Sequence, residues 1–327
     1  MMKRRAWMQT GLGLGLLSWL PAEAARLQWR DITFTGLGTV LSIRAAHHDA
    51  ALLERALQQA KQVIARIEDQ MSLFRPDSAI RRLNREGVLR GPAPDLLHVL
   101  QRSQQFSMHS HGAFDVTVQP LWHVFEQAKQ QGVLPDSRDV KAVARNVGWQ
   151  RLAVDAREVR FLKPGMGITL NGIAQGYAAD QVRETLKQAG IAHTLINTGE
   201  WSSLGQSAHG TDWSLGVADP RHAQTLLGRL SLRGRCVATS ADDLCAFSDD
   251  RRHHHIFDPR TGYSPTDLAS VTVAAPSCLQ ADALTKVLFV AGYERALAVA
   301  KSWRVDALVV HKSGRWQASE GLQWQSV

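Results

Sequence analysis

Apolar residues recur at three- and four-residue spacing between Asp49 and Gln70, through Leu53, Ala56, Leu57, Ala60, Ile64 and Ile67. That period predicts an amphipathic helix with one face packed on a sheet. Before it, Leu27–Phe34 and Thr39–Ala45 have the texture of strands and are joined through Gly36 and Gly38, which predicts an opening hairpin. Helices are expected at Asp95–His109, just after Pro94, and at Ser137–Asn146. Past Gly148 the pattern turns to short apolar runs, Arg151–Val154, Val159–Leu162 and Ile168–Leu170, read as strands. A helix over Ile173–Gln188 and a strand at Thr194–Asn197 follow. Later strands are expected at Trp213–Val217, Ser270–Ala275 and Ala307–His311, with helices at Leu279–Ala291 and Tyr293–Ser302 between the last two. No repeat period or low-complexity linker divides the series, so the expected fold class is α+β, mixed sheets with packed helices and no obvious cut point.

The first 24 residues have a different texture. Lys3, Arg4 and Arg5 precede an apolar run from Gly11 to Leu20, and Ala22-Glu23-Ala24 supplies small residues at a cleavage spacing. This reads as a signal peptide over 1–24, with a single domain over 25–327 and the periplasm as destination. The Arg4-Arg5 pair fits a twin-arginine signal, with Sec export as the alternative. Neither this run nor any later one reaches the roughly 20 apolar residues of a membrane span, so a soluble mature protein is expected.

At 327 residues and 44% hydrophobic content the chain can bury a full core. The net charge of +8 is spread among acidic residues rather than gathered on one element with aromatics, which argues against nucleic acid as a partner. A mildly basic surface suits an anionic small molecule or an acidic protein. Cys236, Cys245 and Cys278 lack metal-like spacing and are expected as small buried residues with at most one bridge.

Five stretches carry candidate chemistry. In Met71–Asn84, Asp77 or Ser78 can cap the short helix carrying Asn84, or the segment can meet a ligand. In Gly112–Leu121, Asp115 lies in an apolar run where an unpartnered carboxylate is costly, so it is structural glue or a ligand contact. Asn171-Gly172-Ile173-Ala174-Gln175-Gly176-Tyr177, between a strand and a helix, offers backbone N–H groups and the positive end of a helix dipole, an arrangement suited to a pyrophosphate. Asn197-Thr198-Gly199-Glu200 follows the next strand. His253-His254-His255-Ile256-Phe257-Asp258-Pro259-Arg260-Thr261-Gly262 joins a possible proton acceptor to a turn, although a metal-adhesive His run or a plain loop reads equally well. In Ala281-Asp282-Ala283-Leu284-Thr285-Lys286, Asp282 is expected to open a helix, where it either favours the dipole or holds Mg²⁺.

Taken in order, Met71–Asn84, Gly112–Leu121, Leu170–Asp180, Val237–Ser240, His255–Gly262 and Ala281–Leu284 resemble the motifs of the ApbE family of FAD:protein FMN transferases, over roughly residue 30 to the C-terminus. The Leu170–Tyr177 wording with Gly199-Glu200 looks closest to the NosX-like branch associated with nitrous-oxide respiration. The resemblance implies an ApbE-like, T-fold-related architecture and transfer of FMN from FAD to a Thr or Ser hydroxyl, with loss of AMP. It implies His255 as the base. It implies FAD contacts at Met71, Phe74, Ser78, Asn84, Phe114, Asp115, Asn171, Gly172, Gln175, Gly176, Asn197, Gly199, Glu200, Ser240, Asp258 and Thr261, and Mg²⁺ ligands at Ala174, Asp282 and Thr285. The implied partner is an acceptor flavoprotein, which for the NosX-like branch suggests a respiratory membrane protein. Two positions depart from the family pattern: Lys286 stands where a Thr is expected four residues after Asp282, and Thr169 stands where many relatives have Asp. FAD pyrophosphate hydrolysis and non-catalytic FAD binding in a maturation protein are the competing readings.

Overall fold

The structure, a computed structural model, describes residues 26–222 and 224–326. The expected leader lies outside them. Eight helices are described: α1 (Ala50–Met71), α2 (Ala79–Glu86), α3 (Pro94–His109), α4 (Gln119–Gln130), α5 (Ser137–Ala144), α6 (Ala174–Gln188), α7 (Cys278–Ala291) and α8 (Tyr293–Ser302). The strands are β1 (Gln28–Gly36), β2 (Thr39–His47), β3 (Val88–Arg90), β4 (Leu152–Val154), β5 (Glu158–Phe161), β6 (His193–Asn197), β7 (Trp201–Leu204), β8 (Ser214–Ala218), β9 (Leu226–Ser231), β10 (Cys236–Ala241), β11 (Leu268–Ala275), β12 (Asp306–His311), β13 (Trp316–Ala318) and β14 (Trp324–Ser326).

Eight strands form one antiparallel sheet in the order β1-β2-β6-β7-β10-β11-β12-β13. The predicted α1 face is buried, and the Asp49 carboxylate caps the helix by accepting from the Ala51 and Leu52 amides at 2.8 and 3.0 Å. Along β11 successive side chains go to opposite faces of the sheet: Val271, Val273 and Ala275 join the large helical core, and Ala274 joins a second cluster with Trp213, Leu215, Val217 and Leu230. That second cluster lies beneath the small β14-β9-β8 sheet, so both faces of the main sheet are covered and every residue of β11 is buried. A third cluster, of Leu121, Phe125, Val140, Val147, Phe247 and Phe257, ties α4 and α5 to the histidine loop between β10 and β11.

Two expectations need correction. Ile168–Leu170 is not a strand. It is held outside any ladder by both amide atoms of Asn84, which bond the Ile168 C=O and N–H at 2.8 Å each, and by a Thr169 N–H to Val116 C=O bond. Asp282 does not open its helix, because α7 starts at Cys278 with Ser277 as its cap, and Asp282 is wholly buried in the second turn. α4, β3, β7, β9, β10, β13 and β14 were not foreseen. The three cysteines are free, with Cys236 and Cys278 packed beside Ala179.

Candidate active site

A cleft of about 1000 Å³ opens where the turn before α6, the β6–β7 turn, α7, α4 and the histidine loop converge. It is at the upper end of small-molecule sites, roughly 300–1,000 Å³. Phe74, Asn84, Phe114, Asp115, Asn171, Gly172, Gln175, Gly199, Glu200, Ser240 and His255 all line it, although their motifs span nearly two hundred residues of chain.

The start of α6 is built by backbone bonding. The Leu170 carbonyl accepts from the Ile173 and Ala174 amides at 3.0 and 2.8 Å, and the Gly176 N–H goes to the Asp282 carboxylate at 3.1 Å. The Gly172 and Gln175 N–H groups are left with no acceptor among the described residues, at the positive end of a fifteen-residue helix. Gly199 then brings the β6–β7 turn against this point. Its φ is +98°, and an added Cβ would lie 2.5 Å from the Gln175 amide, while the Thr198 hydroxyl donates to the Gln175 carbonyl at 2.8 Å.

The structure gives the three consecutive histidines three different surroundings. His253 stacks against Phe125 and Tyr263. His254 is fully buried, with Nε2 at 3.0 Å from the Pro265 carbonyl and Nδ1 accepting from the Ile256 amide. His255 alone of the three lines the cleft. Its Nδ1 lies 3.3 Å from the Cys245 carbonyl and donates to it, so Nε2 is the unprotonated nitrogen. Burial, reinforced by the Lys286 charge, pushes the imidazole down to about 4. A neutral ring with one free lone pair is what a proton acceptor needs at neutral pH.

Other predicted residues turn out to hold the walls. Asp115 accepts from Thr117 twice, at 2.8 and 2.7 Å, and from the Trp149 amide at 2.9 Å; burial raises its carboxyl despite these donors. Met71 is core, and Ser78 caps α2 through the Arg81 amide. Asn197 accepts from the Gly199 amide, and Gly176 sits in the α6–α7 seam, where a Cβ would be 2.4 Å from the Cys278 carbonyl. Asp258 closes the 258–263 turn, accepting from the Arg260 amide and guanidinium, and Thr261 is exposed on that turn. Met71, Ser78, Gly176, Asn197, Asp258 and Thr261 all lie off the cleft lining.

The Mg²⁺ ligands expected at Ala174, Asp282 and Thr285 do not present a vacant set. Of the two Asp282 carboxylate oxygens, one takes the Gly176 N–H and the other the Lys286 ammonium. The Thr285 hydroxyl donates to the Asp282 carbonyl at 2.6 Å, so the 2.7 Å contact with Ser240 must be donated by Ser240. Ala174 is buried and, like Asp282 and Thr285, off the cleft wall. A divalent cation therefore does not fit these residues as they stand. Glu200, buried beside them and accepting from the Thr239 amide at 3.1 Å, has its carboxyl raised by burial and by the Asp282 charge.

The cleft also has a wall made mostly of residues that were not singled out as site candidates. Gln119, Trp122, His123 and Gln127 of α4 line it, with Arg81 and Arg85 of α2 and the exposed Leu244. Their three- and four-residue spacing in α4 was the available signal.

The ApbE family pattern matches residues 37–309. A FAD:protein FMN transferase of Klebsiella pneumoniae is 31% identical over 287 residues, covering 85% of this chain and 87% of that protein. Among solved structures, the ApbE protein of Thermotoga maritima superposes with a TM-score of 0.81 at 25% identity, covering 90% of this chain and 97% of that one. The flavinyl transferase ApbE of Pseudomonas stutzeri gives 0.76 at 27%, covering 92% and 95%.

Proposed function

The chain belongs to the ApbE family, and from that premise we propose that it transfers FMN from FAD to a Thr or Ser hydroxyl of an acceptor protein, releasing AMP. The observation that carries this reading is the placing of His255 in one cleft with the Gly172 and Gln175 amides. Those amides and the α6 dipole are donors for the FAD diphosphate. The acceptor hydroxyl gives its proton to His255 Nε2 as its oxygen attacks the FMN-side phosphorus. The phosphoanhydride bond breaks, and AMP carries away the bonding electron pair. The protein supplies position and fixed charge rather than a covalent intermediate.

Export to the periplasm and an acceptor flavoprotein in a respiratory membrane belong to the same proposal, supported by the Lys3–Ala24 pattern and by the NosX-like wording of the α6 turn. No helix among the described residues is long and apolar enough to cross a membrane. The deciding experiment incubates the protein with FAD and a candidate acceptor, then looks for flavin fluorescence on the acceptor after denaturing electrophoresis. Release of FMN and AMP without an acceptor would point to FAD hydrolysis, and FAD binding with neither outcome to a maturation protein.

A further inference from the structure

Lys286 lies on α7 one turn after Asp282, and its aliphatic stem runs along the backbone of the α6 turn: a Cβ placed on Gly172 would meet its Cε at 3.0 Å and its Nζ at 3.7 Å. The ammonium bonds the Asp282 carboxylate and also reaches the Asp282 carbonyl at 3.2 Å. Asp282 is fully buried, and Lys286 is 19% exposed on the cleft side. The pair thus puts a positive charge on a short tether beside the Gly172 amide, with the carboxylate that would have bound a metal already neutralised. Three ammonium protons, two of them used within α7, leave one to point at a ligand.

We propose that Lys286 is the resident cation of this cleft, contacting the FAD diphosphate itself, so that FAD binding requires no divalent metal. This rests on FAD being the ligand. The α6 amides and the ammonium then converge on one diphosphate. A divalent ion would have to displace a hydrogen-bonded Lys from a buried carboxylate and would meet an ammonium where it needs anionic oxygen.

The test measures FAD affinity by fluorescence quenching with EDTA and with Mg²⁺, and Mn²⁺ binding by electron paramagnetic resonance, in the wild type, Lys286→Met and Lys286→Thr. Wild-type affinity should agree within about twofold across both conditions, with no saturable Mn²⁺ site. Lys286→Met should bind FAD about 10- to 100-fold more weakly, the loss of one charge-assisted bond, without rescue by Mg²⁺. Lys286→Thr should gain a Mn²⁺ site and a Mg²⁺-dependent affinity. A wild type that loses FAD on chelation or binds Mn²⁺ tightly overturns the proposal without recourse to any variant, as does a Lys286→Met protein of unchanged affinity. Metal-independent FAD binding without flavin transfer to any acceptor would uphold Lys286 as the cation and remove the transferase reading instead.

Discussion

Three adjacent histidines show how little a residue's identity says without its surroundings. His255 donates through Nδ1 to a carbonyl and keeps Nε2 as an acceptor, whereas both nitrogens of His254 are engaged inside the fold. His255→Ala should lower flavin transfer by about 10² or more while FAD affinity changes little, and His254→Ala should show its defect in stability first. Because the ring is held down at about 4, it is neutral and active above that value. The kcat/KM for transfer should therefore stay level from neutral to mildly acidic pH and fall as pH drops through about 4; a fall centred near 6.5 would mean that the base is not this half-buried ring.

At the scale of elements the site depends on the α6–α7 seam. Asp180 of α6 caps α7 from outside, accepting from the Cys278 and Leu279 amides at 2.8 and 2.9 Å and from the Ser277 hydroxyl at 2.7 Å. Asp180→Ala should cost about 2 kcal/mol in urea unfolding, since several donors at a largely buried helix end lose a charged acceptor. Gly176→Ala inserts a methyl against the Cys278 backbone and strains the amide that holds Asp282. A loss of about 1–3 kcal/mol is expected, with FAD affinity falling too because α6, whose entering turn holds Asn171, and α7, which carries Lys286, must separate. Retained affinity in a destabilised Gly176→Ala protein would show that the seam supports the fold alone.

For the whole molecule, acid should weaken the fold before it reaches the carboxylates. His254 is held down to about 4, chiefly by burial, against 6.5 in the unfolded chain. Between those values the unfolded state binds more protons, so stability rises with pH across the window and is lost as pH falls from 6.5 toward 4, by about 3 kcal/mol in order of magnitude for this residue. Urea melts from pH 7 to pH 4 would show it, with a shallower pH slope in His254→Gln. Asp242 acts at lower pH: burial pushes its carboxyl up, but the bonds from Arg221 and Lys312 more than reverse this, so its contribution is lost only as pH falls below the ordinary carboxylate range. The proposed export would also be a property of the whole chain. Protein isolated from its native host should begin near Ala25, and an intact Met1 would rule out cleavage of the leader.

Periodicity was enough for α1, α3, α6, α8 and the opening hairpin, because each buries one face and so writes its spacing into its own residues. The six ordered motifs likewise marked the family and His255 from the sequence alone. β10 was not read, since a strand buried almost throughout has little alternation, and in the nearly all-apolar α7 the lone carboxylate Asp282 was taken for the helix start that Ser277 provides. Whether a polar motif residue faces the cleft or holds its wall was decided only by the tertiary structure. Asn84 and Asp115 spend hydrogen bonds on backbone groups that long loops bring to them, and Asp282 meets the Gly176 amide across two packed helices. A buried polar atom takes the partners that folding sets beside it, and those partners lie far along the chain, where no local pattern records them.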